Sequence, residues 1–571
     1  MILKAVNRGI DLRFPQNIWT LASTPENATA GGSGPIIFPE AALNNDLNYG
    51  KNRAKIAWYQ IEQTLQQYKG TNNPIGDPIE LSDPRVRQVY QKEIFPEKTT
   101  GFGESLLQTF DLSYYPTDKG PYNFDDANVT ATGKLKDPDK RWGGLMRSLD
   151  QTDFETSNIE FIEFWLQDPF INSEKRPAAD QSTGGKLYFN LGNVSEDILK
   201  DGKRFYENGL STPNAPSPED NTTVWGKVPR NPIQVTNAFS NNPDDRVYQD
   251  VGLDGLNDTA EVSKRALYLN QLQLTFGAGS KIYQDALKDP SNDDYHNYRG
   301  DDLDRQNAGI LARYKNYNNP QGNSPVAGNE TFTTASTLYP DAEDLNKDNT
   351  LNQTEEYFQY ILDIKPSAAP QMAIGTNFIV DKKVVPVTLA DGKGRNETWY
   401  QFRIPIDEYD AKIGNIPDFK SIRFIRMFMT GFTDSVTLRF GELQLTRNTW
   451  RDFKYKVDTS GLYNPITTSA ATFTVGAVNI EENDQRKPLP YRTPADIQRQ
   501  QTLSSNGVNL LQNEQAMSLQ FCNLGRGDAK AVFQTFGNRD LRQYKTIAMY
   551  IHAEKSLTGS ALQENQNNLQ Q

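Results

Sequence analysis

The strongest candidate for chemistry is Asp344-Leu345-Asn346-Lys347-Asp348-Asn349-Thr350-Leu351-Asn352-Gln353-Thr354-Glu355. Asp344, Asn346, Asp348 and Asn352 supply oxygen donors at loop positions 1, 3, 5 and 9, Thr350 a backbone carbonyl at position 7, and Glu355 a carboxylate at position 12. That is the spacing of a calcium loop, because calcium takes six to eight hard oxygens and alternate residues of a tight turn deliver them. Asn349 stands where such loops carry glycine, and asparagine also enters the left-handed region. The competing reading is a solvated acidic turn that caps a strand.

A second candidate is Asp250-Val251-Gly252-Leu253-Asp254-Gly255-Leu256-Asn257-Asp258-Thr259-Ala260-Glu261. Asp250, Asp254, Asp258 and Glu261 fall at positions 1, 5, 9 and 12 around a turn at Gly255, which suits a structural calcium ion, although Gly252 removes one donor. The same residues also read as a helix start, with Asp258 as N-cap and Glu261 closing a capping box. Asp293, Asp294, Asp301, Asp302 and Asp304 with His296 form a looser group and read as a solvated loop.

Other chemistries lack the residues. With two histidines and one cysteine, neither a thiolate metal cluster nor a Ser-His-Asp set can be assembled, and an internal disulfide is excluded. Cys522 follows Leu519-Gln520-Phe521 and is expected to be a buried, inert thiol. A net charge of -12 without any basic run argues against nucleic acid as a partner. The acidic excess serves either solubility or the gathering of carboxylates around divalent cations. Met1 to Arg8 lacks the apolar core of a signal peptide, and no run of about 18 apolar residues appears, so the chain as given reads as soluble.

The elements that must carry these loops are strands. Ser157-Asn158-Ile159-Glu160-Phe161-Ile162-Glu163-Phe164-Trp165-Leu166 shares its pattern with Lys420-Ser421-Ile422-Arg423-Phe424-Ile425-Arg426-Met427-Phe428-Met429, and Tyr544 to Glu554 repeats it more weakly. β-Branched and aromatic residues with apolar side chains on both faces predict interior strands. Glu160 and Glu163 become Arg423 and Arg426 in the second copy, so position type persists while charge reverses, as in a repeated scaffold. Glu160 and Glu163 also point to opposite faces of one strand, against a paired acid and base.

With 40 Gly, 32 Pro and 11% aromatic residues, short strands separated by turns are expected throughout. The predicted fold is mainly β: successive antiparallel jelly-roll-like β-sandwiches with a small mixed α/β insertion. The expected division is a partly extended lead-in at 1–102, a first sandwich at 103–200 and a loop-rich insertion with short helices at 201–330. A second sandwich at 331–460 and a third, cut short, at 461–571 complete it. Helical spacing marks Val262, Ala266, Leu269 and Leu272, and again Ile282 to Leu287.

A series of segments in fixed order carries a family resemblance: Trp58-Tyr59-Gln60-Ile61, Phe110-Asp111-Leu112-Ser113-Tyr114-Tyr115-Pro116, Leu187-Tyr188-Phe189-Asn190-Leu191-Gly192-Asn193, Asp250-Val251-Gly252-Leu253-Asp254-Gly255 and Arg313-Tyr314-Lys315-Asn316-Tyr317-Asn318-Asn319-Pro320, together with the two ribbons above. The chain resembles the SprA/Sov family of gliding motility proteins of the Bacteroidetes cell surface, from about residue 10 to 554. The resemblance implies part of an outer-membrane translocon of the type IX secretion system, a very large β-barrel that passes folded cargo. This segment, placed in the periplasm or outside the cell, would be a non-enzymatic structural and interaction surface. Its implied partners are the rest of the barrel, other type IX secretion components and secreted cargo. No barrel strands are recognisable, so conduction is not assigned to these residues. The rival reading is a carbohydrate-binding or glycan-degrading surface protein, which an aromatic-lined groove with paired carboxylates would favour.

Overall fold

The computed structural model describes residues 8–99, 105–177, 183–216, 220–230, 237–324, 337, 339–457, 462, 464, 466, 471–486, 490–503, 509–534, 542, 545, 546 and 549–554. Strands hold 30% of the residues and helices 16%, so the protein is mainly β as its composition predicts. In chain order the strands are β1 (Arg8–Asp11), β2 (Thr20–Leu21), β3 (Ala54–Tyr59), β4 (Phe110–Lys119), β5 (Trp142–Ser148), β6 (Ile159–Gln167), β7 (Gly185–Asn193), β8 (Asp220–Thr222) and β9 (Lys227–Pro229). They continue as β10 (Glu356–Ile364), β11 (Ile379–Thr388), β12 (Gly394–Pro405), β13 (Ala411–Ile413), β14 (Phe424–Thr430) and β15 (Val436–Arg447).

Two antiparallel sheets dominate. One runs β11-β12-β6-β15-β4-β3, with β1 also paired to β15; the other runs β13-β10-β7-β14-β5-β2. Alternation along each strand sends every second side chain between them. Phe164 of β6 meets Phe189 of β7 with ring centroids 5.7 Å apart, across the two layers. At Gly143 on β5 the layers approach so closely that a Cβ would sit 3.0 Å from Ile56 and Tyr114 of the facing sheet. The arrangement is a β-sandwich, with one continuous apolar core drawn from both sheets.

The two ribbons are central strands, each with a neighbour on either side. However, β6 lies between β12 and β15, and β14 lies between β7 and β5. Strands from 103–200 and from 331–460 therefore interleave in both sheets. The expected pair of successive sandwiches is corrected to one sandwich whose two halves are separated in the chain by the insertion. The reason is physical: an apolar pattern reports that a strand is buried on both faces, while the identity of its neighbour is set by pairing across hundreds of residues.

Of the reversed charges, Glu163 and Arg426 find partners within this frame. Glu163 of β6 accepts from Arg403 of β12 at 3.1 Å and from Gln401 at 2.7 Å. Arg426 of β14 donates to both oxygens of Glu355, at 2.9 and 2.8 Å. The described part of the lead-in supplies β1 to β3 and short helices. One apolar cluster there joins Leu65, Leu81 and Val86 to Ile310 and Tyr314 of the insertion.

The insertion holds the helices Asp258–Lys264, Ala266–Phe276 and Lys281–Lys288, where spacing places them, and the β8-β9 hairpin. Beyond β15 lie β16 (Arg451–Asp452), β17 (Thr472–Asn479), β18 (Gln501–Leu503), β19 (Asn509–Leu511), β20 (Gln515–Cys522) and β21 (Val532–Phe533). They form three separate two-stranded sheets, so the described residues of 461–554 show strand pairs in place of a third sandwich. The third ribbon falls partly outside the described residues at 544, 547 and 548, and 549–554 carry no strand. Cys522 is exposed, correcting the buried thiol read from its apolar neighbours: among the described residues β20 pairs with β17 alone and no second layer covers it.

Candidate metal centre

The calcium-like segment 250–261 folds into a tight turn followed by a helix. Gly252 and Gly255 both adopt φ +70°, a left-handed conformation that a side chain disfavours, and they curl the chain so that Asp254 points inward. The helix Asp258–Lys264 is capped by Asn257, whose side chain accepts from the Ala260 amide at 3.1 Å. The cap is thus one residue earlier than the sequence reading of Asp258, and Glu261 is free to face the interior. Its Oε2 accepts from the Ser291 amide at 3.0 Å.

A third carboxylate arrives from the loop after helix Lys281–Lys288. One oxygen from each of Asp254, Glu261 and Asp293 lies within 4.8 Å of the other two, and all three residues are buried. Tyr122, in the loop after β4, donates to Asp293 Oδ2 at 2.7 Å while accepting the Leu253 amide at 2.7 Å. Ser291 Oγ donates to Asp254 Oδ2 at 2.9 Å. Arg265 approaches Asp254 at 3.2 Å, with its guanidinium 4.5 Å from the Phe124 ring centroid. Among the described residues, Glu261 Oε1 and Asp293 Oδ1 have no hydrogen-bond partner. Burial first, and the neighbouring carboxylates next, push Glu261 and Asp293 well above the usual carboxylate range. Burial also raises Asp254, against the pull of Arg265.

The other sequence-predicted residues go elsewhere. Asp250 turns away to receive the amides of Gly322 at 2.9 Å, Asn323 at 3.1 Å and Ser324 at 3.0 Å. Asp258 accepts from Gln321 at 2.7 Å. Of the loose acidic group, Asp302 pairs with His296 at 3.0 Å and Asp304 with Arg313 at 2.8 Å, while Asp294 accepts from Gln321 at 3.2 Å. Asp301 opens the helix Asp301–Arg305. Asp293 is the residue that sequence reasoning assigned to solvent and the fold assigns to the cluster. The signal for it was faint: the predicted helix ends at Asp289-Pro290, which forces a sharp return without fixing its direction.

In the stronger-looking loop, 344–355, the donors are engaged with neighbouring protein groups. Asp344 accepts the amides of Asp348 at 3.1 Å and Asn349 at 2.8 Å, and meets Arg204 at 3.2 Å. Asp348 accepts the Thr350 amide at 2.8 Å, and Asn346 donates to Asp348 at 3.0 Å. Asn352 donates to the Val194 carbonyl at 2.6 Å. Asn349 does take the left-handed conformation, at φ +66°. Glu355, at the twelfth position, is held by Arg426 and also receives the Ser195 amide at 2.9 Å.

Among families of known proteins, SprA_N, described as motility related/secretion protein, matches residues 267–571. The chain belongs to the SprA_N family. It is accordingly a motility- or secretion-related protein, and the family is defined by that role, with no enzymatic activity in its description. No curated protein matches the chain. The SprA_N match takes in Asp293 and β10 to β15, while Asp254 and Glu261 precede it. Among the described residues no helix is long and apolar enough to cross a membrane.

Proposed function

We propose that this chain is a structural and interaction segment of an outer-membrane translocon of the type IX secretion system, serving protein export and gliding motility. Membership of SprA_N carries the reading. In this reading the segment lies in the cell envelope, on the periplasmic or outer side, beside the remaining barrel, other secretion components and cargo.

The interior supports a holding role. Trp19, Trp58, Trp142, Trp165, Trp225 and Trp399 are each at most 4% exposed, so they serve as core rather than as a sugar platform. Two carboxylates of the central strands are engaged by arginines: Glu163 by Arg403, Asp111 by Arg439 at 3.2 Å. Such groups fix the relative position of strands from distant parts of the chain.

The test is made in the cell that encodes the protein. Replacing Phe164 by Asp, to unfold the sandwich inside the intact protein, is expected to abolish both cargo release and surface spreading while the protein is still made. Normal release and spreading with this segment unfolded would overturn the proposal. A purified segment that retains glycans on an array would favour the carbohydrate reading instead.

A further inference from the structure

We infer that Asp254, Glu261 and Asp293 hold one divalent cation of the calcium class, which pins the helical insertion to the loop after β4. This goes beyond the secretion reading and stands or falls separately from it.

The geometry comes first. Three carboxylate oxygens within 4.8 Å of one another match donors around a single calcium ion, since ligands at about 2.4 Å on opposite sides of it are about 4.8 Å apart. Two of the three residues, Glu261 and Asp293, keep an oxygen without any hydrogen-bond partner among the described residues although both are fully buried. An unpartnered buried carboxylate oxygen is costly, and a cation is the partner that two of them can share.

Charge points the same way. Arg265 is the one cation within ion-pair distance of the three carboxylates among the described residues, leaving two formal negative charges for a doubly charged ion to balance. Lys55 acts on Asp293 through the field alone, its ammonium group being bonded to Asn319. The donor set is all oxygen, with Ser291 Oγ adjacent, which suits calcium and excludes the nitrogen and sulfur ligands that zinc prefers.

The location gives the ion a task. The cluster joins the 250–256 turn, the helix Asp258–Lys264 and the loop at 289–294, and Tyr122 ties Asp293 and Leu253 to the chain leaving β4. Gly252 lies so near that a Cβ there would be 2.3 Å from Asp293 Oδ2, so the turn is wrapped directly on the carboxylate. A cation here would fasten three elements that otherwise meet through repelling acids.

The test uses the full chain, dialysed against EGTA and then titrated with calcium chloride, with thermal unfolding and bound metal by mass spectrometry as readouts. The expected result is one calcium per chain and a saturable rise in melting temperature, smaller with magnesium. Glu261→Gln and Asp293→Asn are expected to remove both, while Asp348→Asn leaves both unchanged. No calcium bound to the wild-type chain would overturn the inference and make the cluster a set of protonated acids. Undiminished binding by a folded Glu261→Gln chain would overturn it too. Should neither variant fold, crystals of the wild-type chain grown with terbium decide: an anomalous peak among the three carboxylates supports the site, and peaks only elsewhere overturn it.

Discussion

Replacing Arg426 by methionine isolates the contribution of one buried ion pair to the sandwich. The side chains of Arg426 and Glu355 are 0% and 5% exposed, and two hydrogen bonds of 2.9 and 2.8 Å join them. Removing the guanidinium strands a carboxylate that keeps only the Ser195 amide, and breaking such a pair costs about 3–5 kcal/mol. Arg426→Met with Glu355→Gln removes the stranded charge and leaves the glutamine oxygen to accept that amide. The double variant is therefore expected to recover at least about half of the loss, because a buried pair replaced on both sides is often close to neutral. Equilibrium unfolding in urea, followed by tryptophan fluorescence, gives both values. The measurement is made in calcium and in EGTA, and equal losses are expected in the two media, since Glu355 is engaged by arginine. A loss below about 1 kcal/mol for Arg426→Met, or a double variant as unstable as the sum of the single ones, would refute the reasoning.

Acid is expected to act on Glu397, buried among Arg87, Arg395 and Gln167. Burial works against its charge, but Arg87 and then Arg395 hold its pKa below the ordinary 4.5, so its contribution is present above that value and lost as pH falls through the lower one. Glu397→Gln should thus flatten the wild-type fall in stability below about pH 4.5, as read from urea midpoints across that range. Gly143→Val is expected to wedge the sheets apart at Ile56 and Tyr114, costing about 1–3 kcal/mol on the same assay, and an unchanged midpoint would show that the layers do not meet there. Cys522 should react with a thiol reagent in the native chain as fast as in denaturant, whereas strong protection would return it to a buried site.

The sequence shows strand character because that property is local. Ile159 to Leu166 and Ile422 to Met429 carry apolar side chains on both faces, and both ribbons are interior. What they do not carry is their neighbours: β6 pairs with Pro405 to Trp399 and with Phe440 to Arg447, more than 230 residues away, and no periodicity encodes that choice. The acidic clusters divide in the same way. Asp254 and Glu261 could be placed together because six residues and one turn separate them. Asp293 joins them only through tertiary folding, and Glu355 is taken by Arg426, a residue that reads as a repeat position on a strand. In the better-spaced loop at 344–355 the short acidic side chains accept nearby amides, and spacing alone does not distinguish such amides from a cation.

The central claim is that residues 103–200 and 331–460 build one sandwich between them. Its most direct test is to express 331–460 alone, and again together with 8–324, and to follow unfolding by near-ultraviolet circular dichroism. The isolated piece lacks both neighbours of β14 and the three strands paired to β15, and should show no cooperative transition; co-expression should yield one complex that unfolds in a single step. A cooperative, native-like transition from 331–460 by itself would contradict the account.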